Sequence, residues 1–177
     1  GGVLLHDGIY YWFGEHKTAG RAGNQAHVGV HCYSSTDLYN WKDEGIAFKV
    51  SPDPESPVAD GCILERPKVI YNAGTGKFVM WFHLEPKGAG YGGAMVGIAQ
   101  ADNVTGPYSF IRATRTVIRT WPVNVLPLHK VRPEGANWSE RPNLAKGEHP
   151  DSVNTLGRDF EKGQHSRDMT LFVDDDG

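Results

Sequence analysis

Residues 63–83 have the sequence ILERPKVIYNAGTGKFVMWFH and give the clearest indication of how the chain folds. Two runs rich in β-branched and aromatic residues flank a polar turn over residues 72–76, which is typical of a β-hairpin. Glu65 and Arg66 stand just ahead of the first run. Pro67 follows them and suits the start of a strand, because proline lacks an N–H and favours an extended residue before it. The sequence therefore predicts a buried hairpin with a carboxylate and a guanidinium at its mouth.

The same pattern occurs earlier in the chain. Residues 2–15, GVLLHDGIYYWFGE, indicate another hairpin, with Asp7 and Gly8 at a turn where both positions tolerate positive φ. Each hairpin is followed by a similar strand, VGV at residues 28–30 and VGI at residues 96–98. An internal repeat of about four strands is typical of β-propeller blades. We predict an all-β chain that covers about two blades of a propeller and the start of a third.

The repeat is interrupted over residues 113–165, a polar and proline-rich stretch without periodicity. Long segments of this kind are commonly functional or mobile. We interpret the stretch as a long insertion loop within one propeller domain that spans residues 1–177. Because both ends of the chain look like the interior of a domain, we expect the domain to be partial.

Composition argues against several functions. The 177 residues carry a formal net charge of −3 without a basic stripe, so nucleic acid is not an expected partner. No apolar run approaches the roughly 18 residues of a membrane-spanning helix, so no membrane association is expected. The cysteines Cys32 and Cys62 allow two interpretations, a disulfide or two buried free thiols.

Two carboxylates occupy equivalent places in the repeat. Arg167 and Asp168 precede an apolar run at residues 169–173, as Glu65 and Arg66 precede theirs. We predict a strand over residues 169–173 and one shared site lined by these charges. Hydrolysis of a glycosidic bond requires a pair of carboxyl groups. The alternatives are a surface ion pair at Glu65 and a cap at the start of a strand for Asp168.

Three further side chains are candidates for the same site. Glu15 ends the first hairpin, and either reaches the shared cavity or lies in solvent. Trp12 either stacks on a sugar ring or belongs to the core, whereas Tyr91 lies in a glycine-rich loop and is less suited to a core. No histidine or cysteine spacing indicates zinc. Asp174–Asp176 fit a turn better than a calcium site.

Several ordered motifs resemble glycoside hydrolase family 43, notably its exo-β-1,3-galactanases and the related galactofuranosidase- or arabinofuranosidase-like members. They are GGVLLHDGIYYWFGEHK, VGVHCYSSTDLYNWKDEG, LERPKVIYN, GKFVMWFH, TGPYSFI and SRDMTLFVDDDG. The resemblance covers nearly all of the chain outside residues 113–165. It implies a partial catalytic domain of a five-bladed β-propeller, with the site in a central funnel.

The resemblance also implies roles for individual residues. Asp168 matches the carboxylate that tunes the pKa of the general acid, and Glu15 and Glu65 match acidic positions that bind sugar hydroxyls. Tyr91 matches an aromatic residue of the same subsite. The further substrate-binding candidates are Arg66, Arg167 and Trp12. The usual base of the family is absent here or lies upstream, and the general acid is expected about one blade after Asp168, beyond Gly177.

The expected activity is therefore inverting hydrolysis of galactan or arabinogalactan side chains by a secreted or periplasmic enzyme. The alternatives are a same-family arabinofuranosidase, β-xylosidase or β-galactofuranosidase, and a non-catalytic sugar-binding propeller. The implied partner is an oligo- or polysaccharide, and an appended carbohydrate-binding module is compatible with the family. No cofactor is expected; a structural calcium ion is compatible with the fold, but no motif supports it.

Overall fold

The computed structural model describes residues 1–20, 23–121, 123–130 and 160–175. The chain divides into two compact units, one formed by residues 1–114 with 166–177 and the other by residues 115–165. The first unit contains eight strands: β1 (Gly2–His6), β2 (Ile9–Lys17), β3 (His27–Ser35), β4 (Lys42–Lys49), β5 (Ile63–Asn72), β6 (Lys77–Glu85), β7 (Met95–Ala101) and β8 (Ser109–Thr114). Short 3₁₀ helices lie at Gly23–Gln25, Gly90–Gly92 and Pro127–Lys130.

The eight strands form two antiparallel four-stranded sheets, each in sequential order, β1-β2-β3-β4 and β5-β6-β7-β8. The predicted repeat is therefore confirmed: each sheet is one propeller blade, formed by a hairpin and the two strands that follow it. The predicted turns also form. Asp7 and Gly8 have φ of 50° and 76°, and the amide of Gly76 donates to the Asn72 carbonyl over 2.9 Å.

A glycine occurs at the same position in both repeats, and steric crowding at that position explains why. A Cβ at Gly29, in β3, would lie 1.8 Å from the Phe48 carbonyl oxygen, and the residue has a φ of 149°. A Cβ at Gly97, in β7, would lie 2.1 Å from the Phe82 ring. In both blades, therefore, the third strand passes too close to a neighbour for any side chain.

The core lies between the two blades. Phe48 of the first blade packs on Phe82 of the second with ring centroids 5.4 Å apart, and Phe13 meets Tyr108 edge-on at 6.2 Å. Cys32 and Cys62 are both buried and free, so the interpretation as two thiols is the correct one. These contacts remove large apolar surfaces from water and hold the blades face to face.

Two local predictions are wrong. Residues 169–173 form no strand, because no described strand pairs with them, and an isolated strand leaves its backbone groups without ladder partners. Glu65 and Arg66 do not precede the strand but lie inside β5. The strand continues through them because the segment before Pro67 already pairs with β6.

The second unit is described at its two ends, whereas residues 122 and 131–159 of the predicted insertion lie outside the described residues. Thr116 and Gln164 form an antiparallel bridge. Arg119 pairs with Glu161 at 2.8 Å, and the rings of Trp121 and Phe160 stack with centroids 4.4 Å apart. Among the described residues of the whole chain, no helix is long and apolar enough to cross a membrane.

Truncating a side chain that packs between the blades tests whether this contact stabilises the fold. Phe82 is fully buried. Replacing Phe82 by alanine should lower the free energy of unfolding by about 3–5 kcal/mol, through lost burial and the cavity left behind. Urea unfolding measures the loss. The matched control is Tyr39→Ala, because Tyr39 is 87% exposed; equal stabilities of the two variants would contradict the assignment of the core.

Candidate functional site

A β-bulge in β5 places the first charged groups of the site. The ladder pairs Glu65 with His83 and then Lys68 with Trp81, so one strand has two residues where the other has one. Arg66, one of these two, has a φ of 56°. Bulges disturb the alternation of side chains and turn backbone groups away from the ladder. The amide of Arg66 is therefore free to bond outside its own sheet.

Glu15, near the end of β2, accepts a hydrogen bond from that amide. Its Oε1 accepts from the Arg66 N–H over 3.0 Å, and its Oε2 lies 3.1 Å from Lys17 Nζ. Burial alone would raise the pKa of Glu15, but the Arg66 amide and the Lys17 ammonium outweigh it and lower the pKa below its ordinary value. Glu15 thus reaches the shared site as a carboxylate.

Glu65 is the buried carboxylate of the cluster, with 7% of its surface exposed. Its Oε1 accepts from the Tyr91 hydroxyl over 3.0 Å and from Asn24 Nδ2 over 3.1 Å. Its Oε2 accepts from Arg66 Nη1 over 3.0 Å. Three donors therefore compensate the burial of its charge.

Asp168 joins the cluster through Arg66, whose Nε contacts Asp168 Oδ1. The Asp168 side chain is 81% exposed. The guanidinium of its neighbour Arg167 lies 5.5 Å from the centre of the Tyr91 ring and donates to the Tyr91 carbonyl. The structure thus brings together six of the seven predicted site residues: Glu15, Glu65, Arg66, Tyr91, Arg167 and Asp168.

Trp12 lies apart from this cluster. Its ring packs on Tyr33 at 5.4 Å and edge-on against Trp41 at 6.0 Å, yet 42% of its surface is exposed. It lines an open pocket of about 340 Å³ that Glu15 and Lys17 also line. Trp12 is therefore an exposed aromatic residue beside Glu15 and not a residue of the core between the blades.

The sequence interpretation missed His27. It is 2% exposed, and both ring nitrogens lack a hydrogen-bond partner among the described residues. Burial, followed by the nearby Lys17 ammonium, lowers the pKa of His27 to about 4, although Glu15 and Glu65 act in the opposite direction. At neutral pH the His27 ring is therefore uncharged, and it can donate one hydrogen bond and accept another beside Glu15 and Glu65.

The ligand atoms of Glu15, His27 and Glu65 lie within 4.8 Å of one another, close enough for a divalent cation. Each carboxylate, however, already faces a cationic side chain, Lys17 in one case and Arg66 in the other. Because these cations offset the negative charge, the cluster suits a neutral ligand with several hydroxyl groups better than it suits a metal ion.

Asn24 was also missed. It lies in the 3₁₀ turn Gly23–Gln25, which follows two residues outside the described part of the chain. Its amide nitrogen is 2.6 Å from the Tyr91 hydroxyl, and its Oδ1 accepts from Lys17 Nζ over 2.8 Å. No local sequence signal marks this residue, because its partners come from both blades.

Together these features define a class of protein: a β-propeller with carboxylates from two blades in one polar site. No profile of a known protein family and no curated protein matches the chain. Among solved structures, the GH43 β-1,3-galactosidase BT3683, solved with galactodeoxynojirimycin, is 46% identical with a TM-score of 0.81, over 99% of this chain and 51% of that one.

Two exo-β-1,3-galactanases are also similar. 1,3Gal43A from Clostridium thermocellum is 32% identical with a TM-score of 0.63, over 99% of this chain and 29% of that chain. Pc1,3Gal43A from Phanerochaete chrysosporium, solved with galactose, is 38% identical with a TM-score of 0.54, over 63% of this chain and 25% of that chain. The chain belongs to glycoside hydrolase family 43, as its motifs predicted, and spans about half the length of the first of these structures.

The buried imidazole predicts a specific dependence of stability on pH. An unfolded chain binds a proton at histidine near pH 6.5, whereas folded His27 does so near pH 4. Between these values the unfolded state binds more protons, so stability falls as the pH falls, by up to about 3 kcal/mol. His27→Gln should flatten the decline, measured by urea unfolding at several pH values from 7 to 4. Parallel curves for wild type and variant would contradict a buried neutral His27.

Proposed function

We propose that the protein carrying this chain is a glycoside hydrolase that releases galactose from β-1,3-linked galactan, with inversion at the anomeric carbon. Glu15, Glu65 and Tyr91 bind hydroxyl groups of the terminal sugar. Asp168 orients the general acid and raises its pKa by like-charge repulsion. Arg66, Arg167 and Trp12 contribute further contacts with substrate.

The observation that carries this proposal is the meeting of Glu15 and Glu65 from two blades. Ionised carboxylates accept strong hydrogen bonds from hydroxyl groups, and several such acceptors in fixed positions select one sugar configuration. Lys17 and Arg66 offset their charges, so the cost of burying them beneath a neutral sugar falls. Trp12 adjoins Glu15 and offers an apolar face for a second sugar ring.

The similar structures support galactan as the substrate over an arabinose- or xylose-containing glycan. Of the three structures described above, one is a β-1,3-galactosidase and two are exo-β-1,3-galactanases, and two were solved with galactose or a galactose-configured iminosugar. A polysaccharide substrate would place the enzyme outside the cytoplasm, and we propose a secreted or periplasmic location. An appended carbohydrate-binding module fits the same setting.

The activity is tested directly by incubating the protein that carries this chain with β-1,3-galactan and with arabinan and xylan. We expect galactose as the main product from galactan alone. Proton NMR of the first turnovers should show the α-anomer, because an inverting enzyme converts a β-linkage into an α-product. Arabinose or xylose release would favour the same-family alternatives, and binding without hydrolysis would favour a non-catalytic propeller.

Loss of the Asp168 charge should impair turnover more than binding. Asp168→Asn is expected to lower kcat by about 10²–10⁴-fold, the usual contribution of assisted proton transfer, while the fold stays intact. The assay is hydrolysis of β-1,3-galactan, with circular dichroism as the check of folding. Glu55→Gln is the control, because Glu55 is an exposed carboxylate outside the cluster. Near-normal turnover of Asp168→Asn would contradict its role.

Neutralising Glu65 should mainly weaken binding. Its carboxylate holds Tyr91, Asn24 and Arg66 in place, so Glu65→Gln removes a charged acceptor and disturbs three neighbours. We expect the Kd for galactodeoxynojirimycin, measured by calorimetry, to rise about 10- to 100-fold, since hydrogen bonds to charged groups contribute about 1.5–3 kcal/mol. An unchanged Kd would count against a binding role for Glu65.

A further inference from the structure

A buried ring of polar contacts lies behind the cluster, and none of the roles assigned above uses it. His83 and Glu85, near the end of β6, are both 0% exposed. His83 Nδ1 lies 2.7 Å from the Ser166 carbonyl oxygen, and the Ser166 N–H donates to the Ala94 carbonyl over 2.8 Å. The Ala94 N–H donates to Glu85 Oε2 over 2.8 Å. Glu85 Oε1 lies 3.2 Å from His83 Nε2, and this contact closes the ring.

The contacts determine where protons lie. A carbonyl oxygen only accepts, so His83 Nδ1 must carry a hydrogen. His83 Nε2 and Glu85 Oε1 are poorly aligned for a hydrogen bond, but neither has another partner among the described residues. Two lone pairs facing each other at 3.2 Å would repel, so we place one proton between these atoms, on the imidazole or on the carboxyl group. The pair is therefore a stable anchor only while both partners are present.

The Ser166 carbonyl is held by His83 directly, whereas the Ser166 N–H donates to the carbonyl of Ala94, whose own N–H donates to Glu85. Ser166 immediately precedes Arg167 and Asp168, and residues 169–173 lack a strand ladder that could hold them. Asp168 itself is 81% exposed, and Arg66 is the side chain seen to contact it. The position of this carboxylate thus depends on the Arg66 contact, on the bond of Arg167 to Tyr91 and on how the backbone at Ser166 is held.

We propose that the buried His83–Glu85 pair is a positioning device for Asp168, acting through the backbone of Ser166. The pair does not touch substrate. It fixes the start of the segment that carries the tuning carboxylate and, because the His83 ring lies parallel to the Tyr91 ring at 6.3 Å, it also supports the aromatic wall of the site. This role of Asp168 rests on the proposed function, whereas the anchoring of residues 166–168 does not.

The kinetic test is a double-mutant cycle in the protein that carries this chain. His83→Leu is expected to lower kcat on β-1,3-galactan by about 10- to 100-fold, the cost of a small misplacement near the reacting atoms, with KM nearly unchanged. The basic limb of the pH–rate profile should move to lower pH, because a displaced Asp168 no longer raises the pKa of the general acid. In an Asp168→Asn background the same substitution should cost almost nothing further.

Two variants separate positioning from a general loss of stability. His83→Asn keeps an N–H donor near the Nδ1 position and should recover part of the lost turnover. Met80→Ala truncates a fully buried core residue of the same strand and should lower stability without moving the pH profile. Losses that simply multiply in the double variant, or an unmoved pH profile in folded His83→Leu, would overturn the proposal.

A second readout does not require activity. Amide hydrogen exchange over residues 166–168 should be at least about tenfold faster in His83→Leu than in wild type, while the protection of β6 and β7 changes little. Unchanged exchange in this segment would overturn the anchor itself. If wild type hydrolyses no galactan but the exchange accelerates as expected, the proposed function fails and the anchor stands.

Discussion

The Arg66 amide of β5 donates to the Glu15 carboxylate of β2 over 3.0 Å, and this hydrogen bond joins the two blades directly at the site. Around it, Lys17 balances Glu15 and the Arg66 side chain balances Glu65. Glu15 and Glu65 belong to separate sheets. The bond between Arg66 and Glu15 brings them into one cluster whose charges are matched, which is the condition for holding acidic groups in a half-buried place.

The bond depends on an irregularity in β5. The bulge gives Arg66 a positive φ and turns its N–H out of the ladder, while Pro67, which follows, has no N–H to lose. The apolar remainder of the hairpin, packed through Phe82 and its neighbours, supplies the stability that a strained residue requires. This explains why Glu65 and Arg66 lie at the mouth of a buried hairpin. The packed hairpin fixes their position, and the bulge directs the Arg66 N–H towards the other blade.

Local patterns predicted the hairpins and the repeat, because turns and strand alternation are encoded over a few residues. The bulge, and the positions of His27 and Asn24, could not be predicted, since each depends on partners distant in sequence. The strand expected at residues 169–173 was wrong for a related reason: β propensity indicates a strand only where a partner exists. His83 gave no signal either, because a single histidine in an apolar strand is uninformative by itself.

A crystal structure of the protein soaked with galactose would show directly whether the two blades share one sugar site. We expect one sugar whose hydroxyl groups lie within about 3 Å of both Glu15 and Glu65, with the Tyr91 hydroxyl nearby. Sugar bound elsewhere, such as the pocket of about 500 Å³ lined by Tyr71 and Phe172, would contradict it. So would a sugar that contacts only one of the two blades.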